Sequence, residues 1–164
     1  MKAIFRLFIL ICLSSVVAWG QSTIFVSRHA DRFGTEPDPS LTPLGKAQAE
    51  SLGRMLADAN IQHIYTTELL RTQQTAAPVA MRNGVKPVVV PQDKFDDLIE
   101  QVRKTALEHE STLVVGHRQT VPKIVKALTG QEIPPLGSSE YGRLIMITLF
   151  PDGRSSVVTL HYGN

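Results

Sequence analysis

The chain reads as an α/β domain of three layers, with helices on both faces of a mostly parallel sheet that has an antiparallel edge. Two observations predict this. From Thr23 to Leu128, short apolar runs of strand length alternate with longer segments of helical period, the order that builds parallel sheets through crossover helices. After them, two strand-like runs flank Pro151-Asp152-Gly153, and strands joined by so short a turn pair antiparallel.

Each element can be justified in order. Thr23 to Arg28 is the first strand, rich in Ile, Phe and Val. Thr42 is placed as an N-cap with Pro43 at the first helical position, and the helix is expected to run to about Ala59. Its inward side is expected to carry Leu44, Ala47, Leu52, Met55, Leu56 and Ala59, with Asn60 closing it. Ile61 to Thr66 is a short strand, after which Thr67 is expected to cap a helix with Leu70, Gln73, Ala77 and Ala80 inward. Pro78 should bend or end that helix early. Lys86 to Val90 is a third strand.

The next helix shows Phe95, Leu98, Ile99, Val102 and Ala106 at helical spacing, and Ser111 to Val115 is the strand after it. Val121, Ile124, Val125 and Leu128 mark a fourth helix, with Pro122 tolerated in its first turn and Gly130 ending it. Pro134-Pro135-Leu136-Gly137 is a rigid loop, and Arg143 to Phe150 with Ser155 to His161 form the terminal hairpin.

Residues 1–20 stand apart from this pattern. Lys2 and Arg6 precede an apolar stretch, Leu7 to Leu13, too short to span a bilayer, and Ala18 and Gly20 supply the small residues of a cleavage region before Gln21. The segment reads as a secretory signal, which predicts an exported protein, periplasmic or secreted, with residues 21–164 as one domain and no membrane anchor after cleavage. The only cysteine, Cys12, would leave with it, so the mature chain can have no disulfide, no thiol nucleophile and no cysteine-held zinc. Against 15 acidic residues the whole chain has 17 basic ones, and removing Lys2 and Arg6 brings the charge to balance. With no basic run, nucleic acid is excluded as a main partner. Nothing in the sequence sets the oligomeric state.

Chemistry concentrates at two strand ends. His29 follows Phe25-Val26-Ser27-Arg28, and His117 follows Leu113-Val114-Val115-Gly116. Ligands of open α/β sheets gather beyond the carboxyl ends of strands, so both imidazoles should face one crevice. His63, His109 and His161 stand outside such motifs and are assigned no role.

Four segments then carry a resemblance: Arg28-His29-Ala30-Asp31, Leu41-Thr42-Pro43-Leu44-Gly45 with Gln48-Ala49, Tyr65 to Ala76 around Arg71, and Val114-Val115-Gly116-His117. In that order they resemble the histidine phosphatase superfamily, the phosphoglycerate mutase-like fold, and in particular its compact secreted bacterial phosphatases. The resemblance implies a phosphatase acting on a small phosphorylated substrate. His29 would be the nucleophile that forms a phosphohistidine, Arg28 and Arg71 the phosphoryl clamp, and His117 the second phosphate-contacting histidine. No cofactor and no metal is implied. The chemistry is coherent, because a transferring phosphoryl group needs fixed positive charge, an in-line nucleophile and a proton for the leaving oxygen.

Three departures qualify the pattern. Ala30 stands where the family has glycine, and Asp31 where it often has glutamate or threonine. Arg118 follows His117 and would either bind a second anionic group of the substrate or point to solvent. The loop from Pro91 to Lys94 is short and lacks the acidic insertion of the mutases, which favours hydrolysis. Asp31, two residues past the nucleophile, is the expected proton donor, with Glu36, Asp38 and Glu140 as alternatives. Two other classes stay open: a phosphate- or anion-binding module of the same fold with weakened turnover, and a two-histidine acid/base hydrolase without a covalent intermediate.

Overall fold

In the computed structural model, which describes residues 20–34 and 36–163, the elements follow one another as β1 (Ser22–Arg28), α1 (Pro43–Met55), β2 (Ile61–Thr66), α2 (Leu70–Asn83), β3 (Val88–Val89), α3 (Phe95–Leu107), β4 (Ser111–Gly116), α4 (Thr120–Thr129), β5 (Arg143–Leu149) and β6 (Ser155–His161). The expected signal segment, Gly20 apart, lies outside the described residues.

The strands form one sheet in the order β3-β2-β4-β1-β5-β6. Pairings of β1 with β4, β4 with β2 and β2 with β3 are parallel, whereas β5 runs antiparallel to both β1 and β6. This is the mixed sheet with an antiparallel edge that the alternation of runs predicted.

Strand periodicity sends alternate residues to opposite faces, and each face has its own core. On one, Ile24, Val26 and Val114 meet Ile99 and Val102 of α3 and Val121, Ile124 and Val125 of α4. On the other, Phe25, Leu113 and Val115 meet Leu52 of α1 and Ala76 and Val79 of α2. Leu52 and Leu113 are fully buried, so truncating either to alanine should cost about 2–5 kcal/mol.

Helices α1 and α2 differ from expectation. α1 stops at Met55, and Leu56 to Asp58 continue only as a turn, with Asn60 at φ 48° closing it. Its inward side is Gly45, Gln48, Ala49 and Leu52, while Leu44 and Met55 are 54% and 43% exposed. α2 starts at Leu70 with Leu69 as its N-cap, so Thr67 precedes the helix rather than capping it. Its buried side is Thr72, Thr75, Ala76 and Val79; Leu70 and Ala77 are exposed. Pro78 does not end the helix, which continues five residues past it, with Pro78 buried beside Gly53 of α1. β3 is a remnant of the expected strand: Pro87 offers no N–H, and only Val88 and Val89, both exposed, keep strand pairing with β2.

Candidate active site

β1 and β4 are adjacent and parallel, with Arg28 opposite Gly116, so the residues that follow them emerge at the same level. The backbone N–H of His29 donates to the Gly116 carbonyl at 2.9 Å and ties the two strand ends together. His29 and His117 thus meet in one crevice, as their positions after two strands predicted.

The imidazole of His29 is almost wholly buried, and its Nδ1 lies 2.9 Å from the Ala30 carbonyl. A carbonyl only accepts, so Nδ1 carries the proton and Nε2 keeps its lone pair. Burial, together with the positive charge of Arg28 nearby, holds the His29 pKa down to about 3. His117 is buried as well, and burial with the Arg71 charge lowers its pKa to about 4. Its Nε2 is 3.3 Å from the Thr67 hydroxyl. Both rings are therefore neutral near pH 7.

Two guanidinium groups supply the charge that the imidazoles do not. Arg28 is buried, and its Nη1 donates to the carbonyls of Gly137, Ser138 and Glu140 at 2.9–3.0 Å. Its carbon sits 4.0 Å from the centre of the Tyr141 ring, a cation–π contact. Arg71 leaves the first turn of α2, where the helix dipole favours anions. Among the described residues its head is restrained only by Pro37, whose carbonyl is 3.5 Å from Nη1, and by Asp38, 3.9 Å away. The Nε–H groups of both arginines are buried without a hydrogen-bond partner among the described residues. Such orphaned donors are uncommon, and an oxyanion would satisfy them.

The rest of each motif holds these four side chains in place. The Thr75 hydroxyl donates to the Arg71 carbonyl at 2.7 Å and accepts the Ala30 N–H at 2.9 Å, so α2 positions the loop of the nucleophile. Ala30 itself is fully buried against Leu41 and Ala49 and is not among the residues of positive φ, so alanine replaces glycine there without strain. Thr42 caps α1 by accepting the Gly45 N–H at 2.9 Å. A Cβ on Gly45 would lie 1.9 Å from the Asp31 carbonyl oxygen, so only glycine allows α1 this close to the loop. At the other strand end, the Thr120 hydroxyl accepts the His117 N–H at 2.8 Å, in space that a Cβ on Gly116 would take.

Arg28, His29, Arg71 and His117 all line one cavity of about 530 Å³. Arg118, although exposed, also lines it, and Arg32, Asp93 and Tyr141 join it, three residues that sequence reasoning missed. Asp31 does not line it. Its carboxylate accepts the Thr42 hydroxyl at 2.7 Å and its N–H donates to Gln48 at 2.9 Å, so the expected donor serves instead to dock α1. Two of the alternatives are engaged elsewhere: Asp38 accepts the Leu70 N–H at the start of α2, and Glu140 binds Gly137 and Arg143; Glu36 is exposed and does not line the cavity. Asp93, in the short loop before α3, is the only carboxylate lining the cavity among the described residues.

Among the described residues, one group away from the cavity could offer metal ligands. His63, Glu108 and Glu110 bring one ligand atom each within 4.8 Å of one another. They sit around the starts of β2 and β4, at the end of the sheet opposite the cavity, and share no residue with it.

Comparison with known proteins gives a consistent picture. The family model of the histidine phosphatase superfamily (branch 1) matches residues 20–100, which include Arg28, His29 and Arg71. The chain is 45% identical over 56 residues to a PE-PGRS family protein of Mycobacterium tuberculosis, a stretch covering 34% of this chain and 10% of that protein, so the chain spans about a tenth of that relative's length. It is 26% identical over 153 residues to the Probable phosphoglycerate mutase GpmB of Yersinia enterocolitica, covering 84% of this chain and 68% of that protein. Among solved structures, the protein histidine phosphatase SixA complexed with tungstate superposes with a TM-score of 0.71 at 20% identity, over 85% of this chain and 96% of that one. The alpha-ribazole phosphatase of Shigella flexneri superposes with a TM-score of 0.67 at 14% identity, over 85% and 96%. At these identities the structural likeness establishes the fold.

Proposed function

We propose that this chain, whose first half matches the histidine phosphatase superfamily and whose fold that superfamily's phosphatases share, is itself a phosphatase that works through a phosphohistidine on His29. One observation carries the reading. The buried imidazole of His29 is neutral, its Nδ1–H is held by Ala30, and His29 lines the same cavity as two arginines whose Nε–H donors have no partner among the described residues.

In the first half-reaction Nε2 attacks phosphorus and the bond to the leaving oxygen breaks. Arg28, Arg71 and the edge of His117 meet the charge that gathers on the three peripheral oxygens. Asp93, the carboxylate that lines the cavity, would give the leaving oxygen its proton. In the second half-reaction water attacks the phosphohistidine, Asp93 takes its proton, and inorganic phosphate leaves. The low pKa of His29 serves both halves, since a neutral nitrogen is needed to attack and a poor base is a good leaving group. The basic and apolar start of the chain supports export, with the cavity turned to substrates outside the cytoplasm.

The test is rapid quenching with a ³²P-labelled phosphomonoester. Label stable to base and lost in acid should appear on the native protein and be absent from His29→Ala, which should also lose turnover. Arg71→Ala and His117→Ala should each slow turnover by about a hundredfold or more, as loss of a positioned charge-stabilising donor does. Near-normal turnover in His29→Ala would end the covalent reading and leave the two-histidine hydrolase. Phosphate binding without turnover in the native protein would favour the anion-binding module.

A further inference from the structure

One phosphoryl group is served by Arg28, Arg71 and the two imidazoles, yet two more arginines, Arg32 and Arg118, line the same cavity. Arg32 follows β1 and Arg118 follows β4, so their loops lie over neighbouring strand ends. Neither has a carboxylate within ion-pair distance among the described residues, and the Arg32 head donates only to the backbone carbonyls of Phe33 and Gly34. Outside the cavity Arg82 pairs with Glu50 and Arg154 with Asp152, whereas Arg54 and Arg103 also lack an ion pair among the described residues; what sets Arg32 and Arg118 apart is that they line the same cavity as the clamp.

Like charges gathered in one concavity repel, and the effect is felt inside it. Arg32 and Arg118 both make protonated Arg28 less favourable, after burial as the main cause, and Arg32 does the same to Arg71. Of the carboxylates near the four arginines, Asp93 lines the cavity, while Asp38 and Glu68 act on Arg71 and are no ion-pair partners of Arg32 or Arg118. A phosphomonoester held by Arg28 and Arg71 leaves Arg32 and Arg118 without an anion. A second phosphoryl group would supply one. Space agrees with charge, because about 530 Å³ lies within the roughly 300–1,000 Å³ of pockets that enclose whole small molecules.

We propose that Arg32 and Arg118 form a second anion subsite beside the phosphoryl clamp, so that the substrate is a small molecule with two phosphoryl groups, a bisphosphate or a phosphoanhydride. The substrate class rests on the phosphatase reading; the subsite does not, and the experiment separates them.

Methylenebisphosphonate and methylphosphonate, neither of which is a phosphatase substrate, should be titrated calorimetrically into the folded mature chain with EDTA present. Two arginines on a second phosphonate should favour the bisphosphonate by at least about tenfold. Arg32→Ala and Arg118→Ala should each erode that preference and the double variant should abolish it, whereas Arg154→Ala, which removes the same charge from the distant hairpin, should keep it. Circular dichroism checks that each variant folds, with Arg→Gln as the substitute where alanine does not. Equal affinities in the native protein would overturn the subsite. So would variants that weaken both probes equally, because these arginines would then serve a single phosphoryl group or the general field. A bisphosphonate preference in a protein that turns over neither bisphosphates nor monoesters would refute the phosphatase reading and leave the subsite standing.

Discussion

The rings of His29 and His117 meet edge to face with their centroids 5.5 Å apart, and among the described residues neither is hydrogen-bonded to a carboxylate. A pair of imidazolium ions at that distance beside Arg28 and Arg71 would repel strongly, so burial and neighbouring charge both favour the neutral rings.

That pair should make stability depend on pH. An unfolded histidine takes up a proton near pH 6.5, while the buried rings resist it until about 3 for His29 and about 4 for His117. Within that window the unfolded chain binds more protons, so stability falls as pH drops from about 6.5, by up to about 1.4 kcal/mol per pH unit for each ring. Above it the rings contribute no slope. Urea unfolding at pH 7.5, 6.0 and 5.0 should show a steeper decline for the native protein than for the His29→Asn/His117→Asn double variant. Identical slopes would contradict the neutral pair.

Catalysis should be indifferent to chelation and sensitive to oxyanions. The cavity recruits arginines and imidazoles, while His63, Glu108 and Glu110 lie at the far end of the sheet. EDTA should therefore leave turnover intact even where that group holds an ion, and tungstate or vanadate should inhibit competitively. Activity lost to EDTA and restored by a divalent cation would reverse the assignment.

Asp93 and Asp31 can be told apart by leaving group. Asp93→Asn should slow an alkyl phosphate by roughly a hundredfold and scarcely alter p-nitrophenyl phosphate, whose leaving group departs without a proton. Asp31→Asn should depress both substrates alike and lower stability, by about the 0.5–2 kcal/mol of a weakened N-cap, because its carboxylate holds Thr42 at the start of α1. The opposite pattern would return the proton to Asp31.

Export should remove the first residues. N-terminal sequencing of protein recovered outside the cytoplasm should begin near Gln21. A chain beginning at Met1 in the membrane fraction would indicate an uncleaved anchor.

The legible parts of the fold were those where side-chain polarity and position agree. β1, β2, α3 and β4 pack as apolar runs against apolar helices, so periodicity located them within a residue or two. α1 and α2 misled because their inner faces are small or polar: Gln48, Thr72 and Thr75 are buried to hydrogen-bond loops, while Leu44, Met55 and Leu70 face solvent. Of the cavity, Arg28, His29, Arg71 and His117 were visible because they sit within local motifs. Asp93 and Tyr141 were not, since only the packing of the turn before α3 and the loop before β5 brings them near β1. Arg32 was within reach of sequence reasoning, four residues beyond Arg28 in the same segment.

The hydrogen bond from His29 Nδ1 to the Ala30 carbonyl has a stereochemical consequence. In the proposed phosphatase it would leave the tele nitrogen as the one position able to carry phosphorus, so an adduct on this residue would be a single regioisomer, distinguishable from the pros form by ³¹P chemical shift. The bond would survive phosphorylation, because the acceptor is backbone and the donor is not consumed. The imidazole plane would then stay fixed between loading and discharge, and the two proposed half-reactions would run as mirror displacements along one axis.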